Sequence, residues 1–145
     1  MIALDLKTGK EVWRTKSADP KDGYSMTGAP LVANGVVIAG VAGAEFGHRG
    51  YLEGFDPESG KSLWRTYTIP AKGEPGSETW PGDSASHGGG STWITGSYDP
   101  ELDLVFWGPA IPRPGIRSIA WAITFTPTRF SPFNPRPARW CGTIR

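Results

Sequence analysis

Residues 54–64, GFDPESGKSLW, repeat a pattern that first occurs at residues 3–13, ALDLKTGKEVW. Both stretches place a small residue two positions before an aspartate, then a threonine or serine followed by glycine, and a tryptophan four positions after that glycine. Each suits a β-hairpin in which one strand ends at the aspartate, the glycine takes a positive φ in the turn and the tryptophan lies on the returning strand. Trp13 and Trp64 can then pack against a neighbouring sheet.

The spacing of the repeats, about fifty residues, indicates the blades of a β-propeller rather than a solenoid of helices. Further strands separated by turns are predicted around the second repeat. They cover residues 29–33, 36–41, 51–55 and 104–107. The pair Asn34-Gly35 is typical of a two-residue hairpin turn, and residues 97–101 predict another turn. No segment has a convincing amphipathic helical period, so the sequence predicts an all-β fold.

A long segment between the predicted strands, residues 69–92, is rich in Gly, Pro and Ser. Loops of this length in compact domains are usually functional or disordered. Trp80 within the segment and Trp93 directly after it favour an ordered loop.

The composition changes abruptly near Gly108. Up to that residue the chain has 14 Asp and Glu against 9 Lys and Arg, whereas residues 109–145 have 6 Arg, no Lys and no acid, together with 7 of the 14 prolines. One cysteine, Cys141, excludes an internal disulfide and indicates no redox compartment. From the first residues we expect no export signal, and no apolar run of the sequence is long enough for a membrane helix.

The tryptophan repeats resemble the docking motifs of eight-bladed propellers that carry pyrroloquinoline quinone (PQQ), in which the tryptophan of each blade braces the next. Propellers of outer-membrane assembly lipoproteins share these motifs without PQQ. Three further motifs, SMTGAPLV at 25–32, GAEFGHRG at 43–50 and GGGSTW at 88–93, resemble in order and spacing the cofactor site of quinoprotein methanol and alcohol dehydrogenases. The resemblance implies that residues 1–108 are a fragment, about two blades, of such a propeller.

The same resemblance implies roles for individual residues. Glu45 corresponds to the carboxylate that binds the calcium or lanthanide ion held by PQQ, and carboxylate oxygens are the donors that such hard cations prefer. Trp93 corresponds to the floor on which the quinone ring stacks, for which an indole offers a flat, rigid face. Thr27 corresponds to a threonine whose hydroxyl bonds a PQQ carboxylate. The backbone at Gly43 and Ala44 is expected to approach the cofactor.

Two positions depart from the family pattern. Ala42 stands where some members carry a serine that binds PQQ, so one side-chain hydrogen bond is expected to be missing. His48 replaces a residue that is usually aliphatic, with no consequence that the sequence reveals. Taken singly, Glu45 is most simply a solvated carboxylate and Trp93 a core residue. Their joint spacing with Thr27 and the docking repeats favours the cofactor site.

Other histidine and cysteine chemistry is not indicated. His87, beside three glycines, is interpreted as a loop residue, and two histidines with one cysteine are too few to build a zinc site.

The parent enzyme implied by the resemblance oxidises a primary alcohol to an aldehyde. The metal polarises a PQQ carbonyl, an aspartate base removes the hydroxyl proton and hydride passes to the quinone. That aspartate and an asparagine metal ligand are expected beyond the recognisable segment, so no catalytic residue is assigned to this chain. The resemblance also implies a periplasmic location and a cytochrome c-type electron acceptor; we expect no nucleic-acid partner and no membrane span.

Residues 109–145 are predicted to be an out-of-frame tail, irregular or disordered, that forms no domain. If one base was lost near codon 109, each original codon is the last base of one present codon and the first two of the next. Trp121 with Ala122 then forces GGC, a glycine, and Trp140 with Cys141 forces GTG, a valine. Allowed third bases elsewhere permit a family-like text that includes a third docking repeat, ATGEVVW.

Two alternatives stay open. A non-catalytic propeller of the same repeat type, acting as a protein-binding scaffold, would keep the docking repeats but has no reason to keep Glu45 and Trp93 at this spacing. A pseudogene product without function is compatible with the same ancestry. A genuine basic, Pro-rich tail that binds acidic partners would explain neither the restored repeat nor the abrupt change in composition.

Overall fold

The computed structural model describes residues 1–87 and 89–110. Within these residues the chain forms β-strands and short 3-10 helical turns but no α-helix, which confirms the all-β prediction. The strands are β1 (Ile2–Leu4), β2 (Glu11–Arg14), β3 (Leu31–Ala33), β4 (Val36–Gly40), β5 (Tyr51–Phe55), β6 (Ser62–Tyr67), β7 (Ser97–Asp99) and β8 (Leu104–Phe106). The 3-10 turns are Pro20–Asp22, Ala44–Phe46, Ser77–Thr79 and Ser84–His87.

The strands form three antiparallel sheets. A four-stranded sheet in the order β3-β4-β5-β6 is flanked along the chain by the pairs β1-β2 and β7-β8. The prediction of about two blades therefore holds in strand number, but the strands are distributed as one complete four-stranded blade and two strand pairs. None of the described helical turns has the length and apolarity needed to span a bilayer.

The two repeats form matching hairpins with the same cross-strand pair. Ala3 lies opposite Trp13 in the first hairpin, and Gly54 lies opposite Trp64 in the second. A Cβ atom on Gly54 would clash with the Trp64 ring. The small residue of the motif is thus needed because the indole covers the strand opposite.

The turns of the two hairpins are closed by their aspartates. The Oδ1 atom of Asp5 accepts hydrogen bonds from the backbone N and the hydroxyl of Thr8, at 2.8 and 2.6 Å. Asp56 does the same with Ser59, at 2.7 and 2.6 Å. Gly9 and Gly60 follow with φ of 67° and 69°, values that glycine adopts without strain. The predicted turn chemistry is confirmed in both repeats.

Trp13 docks on the turn of the second repeat. Its Nε1 atom donates to the carbonyl of Pro57 at 2.8 Å, and a Cβ atom on Gly60 would clash with its ring. Thr15 adds a hydrogen bond from its hydroxyl to the Gly60 carbonyl at 2.6 Å. The first hairpin is therefore held by the turn of the following blade, as the docking interpretation predicts.

The region before β8 differs from the prediction. Residues 97–101 are predicted as a turn, but Ser97–Asp99 forms β7, in which Tyr98 pairs with Val105. The turn begins at Pro100, and Asp99 Oδ1 closes it by accepting from the backbone of Glu101 and Leu102, both at 3.0 Å. Asp99 and Pro100 therefore mark the end of β7. This strand is recognisable only in the folded chain, where it pairs with β8.

The hydrophobic core joins the four-stranded blade to the β7-β8 pair. Its buried members are Ala33, Val36, Ile38, Leu52, Val105 and Trp107, with Leu31, Trp64 and Tyr98 packed against them. Burial of each large aliphatic side chain contributes on the order of 1.5–3 kcal/mol. This core fixes the chain that leaves β4 relative to the chain that enters β7. The predicted tail, apart from Pro109 and Ala110, lies outside the described residues.

Candidate cofactor site

Three segments from separate parts of the sequence meet at one surface, which we call the shared surface. The first contains Ser25 and Thr27, the second runs from Gly40 to Glu45, and the third contains Trp93. Ser25 and Ala42 form an antiparallel bridge in which Ala42 N donates to Ser25 O at 2.8 Å and Ser25 N donates to Ala42 O at 3.4 Å. The structure therefore brings the predicted site segments together.

Thr92 anchors the third segment in the core. Its backbone N donates to Val41 O at 2.8 Å, and its hydroxyl donates to Tyr51 O at 2.6 Å while accepting from Val41 N at 2.9 Å. Its carbonyl accepts from the Trp107 indole at 3.0 Å. Thr92 is 1% exposed. With all of these groups bonded, the backbone at Thr92, directly before Trp93, is fixed.

Glycines allow the segments to approach backbone to backbone. A Cβ atom on Gly40 would clash with Thr92 O, and one on Gly28 would lie 2.6 Å from Trp93 O. A further hydrogen bond joins the same two segments: the Thr95 hydroxyl donates to Ala29 O at 2.7 Å. Larger residues at positions 28 or 40 would push the strand segments apart, so these glycines are required by the close approach.

Trp93 does not belong to the core. Its side chain is 48% exposed although its backbone is fixed by Thr92. Trp93 therefore lies outside the core of the described residues, and its role toward a ligand stays a prediction. An indole held half in solvent by a rigid backbone presents a flat apolar face, and such a face suits a planar aromatic ligand.

Gly43 lies against the His48 ring, which in turn contacts Tyr24. It has φ of 107°, and a Cβ atom there would clash with the Gly23 carbonyl and lie 2.6 Å from His48 Cε1. The His48 ring packs against Tyr24 in a tilted arrangement, with centroids 3.7 Å apart and an interplanar angle of 35°. The Tyr24 hydroxyl donates to Arg49 O at 3.0 Å. Tyr24 is a supporting residue that the sequence did not reveal, because its contacts lie some 25 residues away along the chain.

His48 has a consequence that the sequence did not predict. Both ring nitrogens are buried, and neither has a hydrogen-bond partner among residues 1–87 and 89–110. A buried polar atom without a partner carries a desolvation cost of about 1–3 kcal/mol. The ring therefore acts here as a flat packing element between Tyr24 and Gly43. Burial also raises the pKa of Tyr24 above its ordinary value, so its hydroxyl remains a neutral donor at pH 7.

Glu45 lies in the 3-10 turn Ala44–Phe46, and its side chain is exposed. In the part of the chain that the structure describes, no group of three His, Cys, Asp or Glu side chains could hold a metal ion. Glu45 alone would supply one oxygen-donor side chain to an ion at this surface. A complete coordination shell needs donors from outside the described residues or from a ligand.

Arg49 fixes the long loop rather than facing the shared surface. Its Nε and Nη2 atoms donate to Ile69 O at 2.9 and 2.5 Å. Its guanidinium lies 4.2 Å from the centre of the Tyr67 ring, and Glu74 Oε2 is 3.8 Å from Nη2. The arginine of the 43–50 motif thus holds the start of the loop 69–87 by hydrogen bonds and ring stacking.

The buried carboxylate of Glu53 is the centre of a polar cluster with a structural role. Glu53 is 3% exposed, and its carboxylate accepts from Ser62 at 2.6 Å and from Arg65 at 3.0 Å, with a further short hydrogen bond from Ser17. The Arg65 guanidinium also covers the Tyr51 ring at 4.2 Å. A buried carboxylate with this many donors is satisfied in place.

The shared surface fits PQQ in its chemistry. It combines a half-exposed indole face at Trp93 with the exposed hydroxyl-bearing residues Ser25 and Thr27 and with closely spaced glycine backbone. An aromatic ligand stacks on the former, and carboxylates accept hydrogen bonds from hydroxyls and backbone N–H groups. Glu45, whose carboxylate is a hard oxygen donor, lies three residues after Ala42 on the second of these segments.

The strands, docking hairpins and site together define part of a β-propeller of the PQQ type. Residues 14–117 match the family described as glucose/ethanol/alcohol dehydrogenase, PQQ β-propeller domain. The chain belongs to this family of PQQ-dependent dehydrogenases. The match ends at residue 117, beyond the boundary at Gly108 that the sequence predicts; the boundary stays a prediction.

Individual relatives agree with this assignment. The chain is 42% identical over 132 residues to quinohemoprotein alcohol dehydrogenase ADH IIB of Pseudomonas putida, covering 82% of this chain and 19% of that protein. It is 42% identical over 130 residues to a lanthanide-dependent methanol dehydrogenase of Methylacidiphilum fumariolicum, covering 77% of this chain and 21% of that protein. A europium-containing methanol dehydrogenase structure matches with a TM-score of 0.72 and 41% identity, covering 77% of this chain and 22% of that one. The chain spans roughly a fifth of these relatives.

Proposed function

We propose that this chain is part of a PQQ-dependent dehydrogenase that oxidises primary alcohols to aldehydes, and that it supplies one side of the PQQ pocket. The observation that carries the proposal is the position of Trp93. This indole is 48% exposed, yet its backbone is locked to the core by Thr92 beside Ala42 and Gly28. A flat aromatic face that remains exposed at such a rigid point supports a stacking role.

The proposed pocket divides the work among neighbouring residues. Trp93 provides the face on which the PQQ ring stacks, and the Thr27 hydroxyl donates to a PQQ carboxylate. The backbone at Gly43 and Ala44 approaches the cofactor, where Gly43 leaves the required space because it has no side chain. Ala42 lines the pocket without a hydrogen bond. When bound, PQQ supplies the quinone that accepts hydride from the alcohol.

Glu45 is proposed to bind the metal ion. Its exposed carboxylate is a hard oxygen donor of the kind that calcium and lanthanide ions prefer. The family relatives include a lanthanide-dependent and a europium-containing enzyme, so either ion class suits the same carboxylate. The further metal ligand and the aspartate base are proposed to lie outside the described residues, and no catalytic base is assigned within this chain.

The 145-residue chain is proposed to be inactive by itself and prone to aggregation. Within the described residues, β1 and β8 each pair with only one strand, and Ile2, Leu4 and Phe106 on these strands are exposed. Unpaired strand edges with apolar side chains favour association. Alcohol oxidation by the purified chain with PQQ and calcium would refute the proposed inactivity. The parent enzyme is proposed to act in the periplasm and to pass electrons to a cytochrome c-type acceptor.

The tail from residue 109 is proposed to result from a single-base deletion. The change in composition at that point and the forced glycine and valine codons support it. The nucleotide sequence around codon 109 and upstream of Met1 tests it. We expect a family-like frame to continue after one-base repair; a single intact frame that ends at a native stop would contradict it.

A PQQ titration tests the proposed pocket. We expect addition of PQQ with calcium or lanthanum to the dilute, purified chain to quench tryptophan fluorescence, because the Trp93 indole contacts the bound ring. Trp93→Ala should remove most of the saturable quenching, whereas the control Trp80→Ala, in the long loop, should retain it. No saturable quenching by the wild-type chain, or equal titrations of the two variants, would favour a non-catalytic scaffold propeller.

A further inference from the structure

Ser25 and Ala42 present their side chains to the same face of the proposed pocket. The two residues lie directly opposite each other in an antiparallel bridge and exchange both backbone hydrogen bonds, at 2.8 and 3.4 Å. Side chains of such a pair project on one side, with Cβ atoms about 4.5–5.5 Å apart. A hydroxyl on residue 25 therefore lies beside the methyl group of residue 42.

Thr27 lies two residues after Ser25 on the same segment. Along the segment, Ser25 is exposed, Met26 is partly buried and Thr27 is exposed. In extended chain residues i and i+2 lie on the same side, so we expect the hydroxyls of Ser25 and Thr27 on one face. Within residues 1–87 and 89–110, the hydroxyls of Ser25 and Thr27 have no hydrogen-bond partner. Both hydroxyls are therefore available to an added acceptor.

Two basic side chains of the 43–50 motif, Arg49 and His48, are engaged elsewhere in the described part of the chain. The guanidinium of Arg49 is directed to the Ile69 carbonyl and the Tyr67 ring, and the His48 nitrogens are buried beneath Gly43. PQQ is a tricarboxylate, and hydrogen bonds to ionised acceptors are about twice as strong as neutral ones. Each hydroxyl on the face can therefore contribute appreciably to its affinity.

We infer that Ser25 is a second hydroxyl donor to a carboxylate of PQQ, and that it supplies from the neighbouring strand segment the hydrogen bond that Ala42 cannot make. This inference rests on the proposed PQQ pocket. It has a specific corollary, because positions 25 and 42 are one cross-strand distance apart. A hydroxyl at either position serves the same carboxylate, so a serine at 42 replaces one lost at 25.

The test is a four-member set comprising the wild type, Ser25→Ala, Ala42→Ser and the double variant. PQQ affinity is measured by tryptophan quenching at a fixed calcium concentration. We expect Ser25→Ala to raise the Kd about 10-fold, equivalent to about 1.4 kcal/mol. The double variant should return to within about threefold of the wild type, since the hydroxyl is restored on the same face. Ser97→Ala, an exposed serine in β7, serves as the control and should leave the Kd unchanged.

The outcomes separate the inference from the proposed function. Wild-type binding with an unchanged Kd for Ser25→Ala overturns the role of Ser25 and leaves the pocket standing. A weakened Ser25→Ala variant that Ala42→Ser does not restore also overturns it, because a merely structural serine would behave in this way. Absence of PQQ binding by folded wild-type chain contradicts the pocket itself.

A chimera keeps the test independent of the short chain's solubility. Residues 14–107 replace the matching segment of quinohemoprotein alcohol dehydrogenase ADH IIB, which supplies the other blades. The same four variants are compared by the amount of PQQ retained after dialysis, read from absorbance. The same order is expected, with Ser25→Ala lowest and the double variant restored; equal retention by all four would overturn the inference.

Discussion

Trp93 and Trp107 are held by the same residue and yet have opposite environments. Trp93 follows Thr92 in the chain and is 48% exposed, whereas Trp107 donates its indole N–H to the Thr92 carbonyl at 3.0 Å and is 4% exposed. The buried indole fills the core and has its polar atom satisfied. The exposed indole of Trp93 does not fill the core of the described residues. Rigid support without burial is what we expect of a ligand platform, the role proposed for Trp93.

The largest expected difference is in stability. Trp107→Ala should lower the free energy of unfolding by about 3–5 kcal/mol, because it leaves a cavity among Val36, Ile38 and Val105. Trp93→Ala should lower it by less than about 1 kcal/mol, since half of the ring is already in water. Urea unfolding in dilute solution, followed by circular dichroism, measures both. Similar losses for the two variants would show that Trp93 is a core residue after all.

Thr92→Val should affect both tryptophans. The substitution keeps the shape of the side chain but removes the hydroxyl between Val41 N and Tyr51 O, leaving two buried backbone groups without that partner. We expect a loss of about 2 kcal/mol in the free energy of unfolding and a weaker response to PQQ. Thr95→Val, which removes one hydrogen bond at a partly exposed site, is the matched control and should cost less. Equal costs would argue against Thr92 as the anchor.

Trp13 extends the comparison to a tryptophan of intermediate burial. Its indole contacts Pro57 and Gly60 of the next repeat. Trp13→Ala should lower the free energy of unfolding by roughly 1–2 kcal/mol, between the values for Trp93 and Trp107. Hydrogen exchange should then increase mainly in β1 and β2. Increased exchange throughout β3–β6 as well would contradict local docking.

The smallest effect is a pH dependence in the turn beneath Trp13. Hydrogen bonds from the hydroxyl and backbone of Ser59 lower the pKa of Asp56 below its ordinary value. Because the folded pKa is depressed, this stabilisation is present above about pH 4 and is lost as the pH falls through the lowered pKa. Asp56→Asn should therefore reduce the decline in unfolding free energy between pH 5 and pH 2. The exposed control Glu101→Gln should retain the wild-type slope; identical slopes for both variants would count against the turn.

The sequence predicts those features that depend on local chemistry. The aspartate turns, the Asn34-Gly35 hairpin with φ of 43° and 75°, and the positions of Trp13 and Trp64 follow from residues within a few positions of each other. The family resemblance then placed Thr27, Gly43 and Trp93 on segments that the fold brings together. Their roles toward PQQ and a metal stay predictions.

The features that the sequence missed depend on distant contacts. β7 was hidden because Tyr98 becomes a strand residue only through pairing with Val105. The anchoring role of Thr92 arises from residues 51 positions away at Val41 and 41 positions away at Tyr51. The two strand pairs that precede and follow the four-stranded sheet in the chain likewise depend on strand pairing, which the spacing of the repeats does not reveal.

The contact of Trp13 with Pro57 also bears on the order of folding. The two residues are 44 positions apart, whereas the β5-β6 hairpin closes through a short turn. Local hairpins close faster than contacts that require a long loop, since loop closure costs entropy that grows with length. During synthesis the β1-β2 hairpin emerges before the turn that receives its indole. The Trp13 indole therefore has no docking partner until the second repeat has left the ribosome. At physiological elongation rates of about 5–20 residues per second, that interval is on the order of seconds.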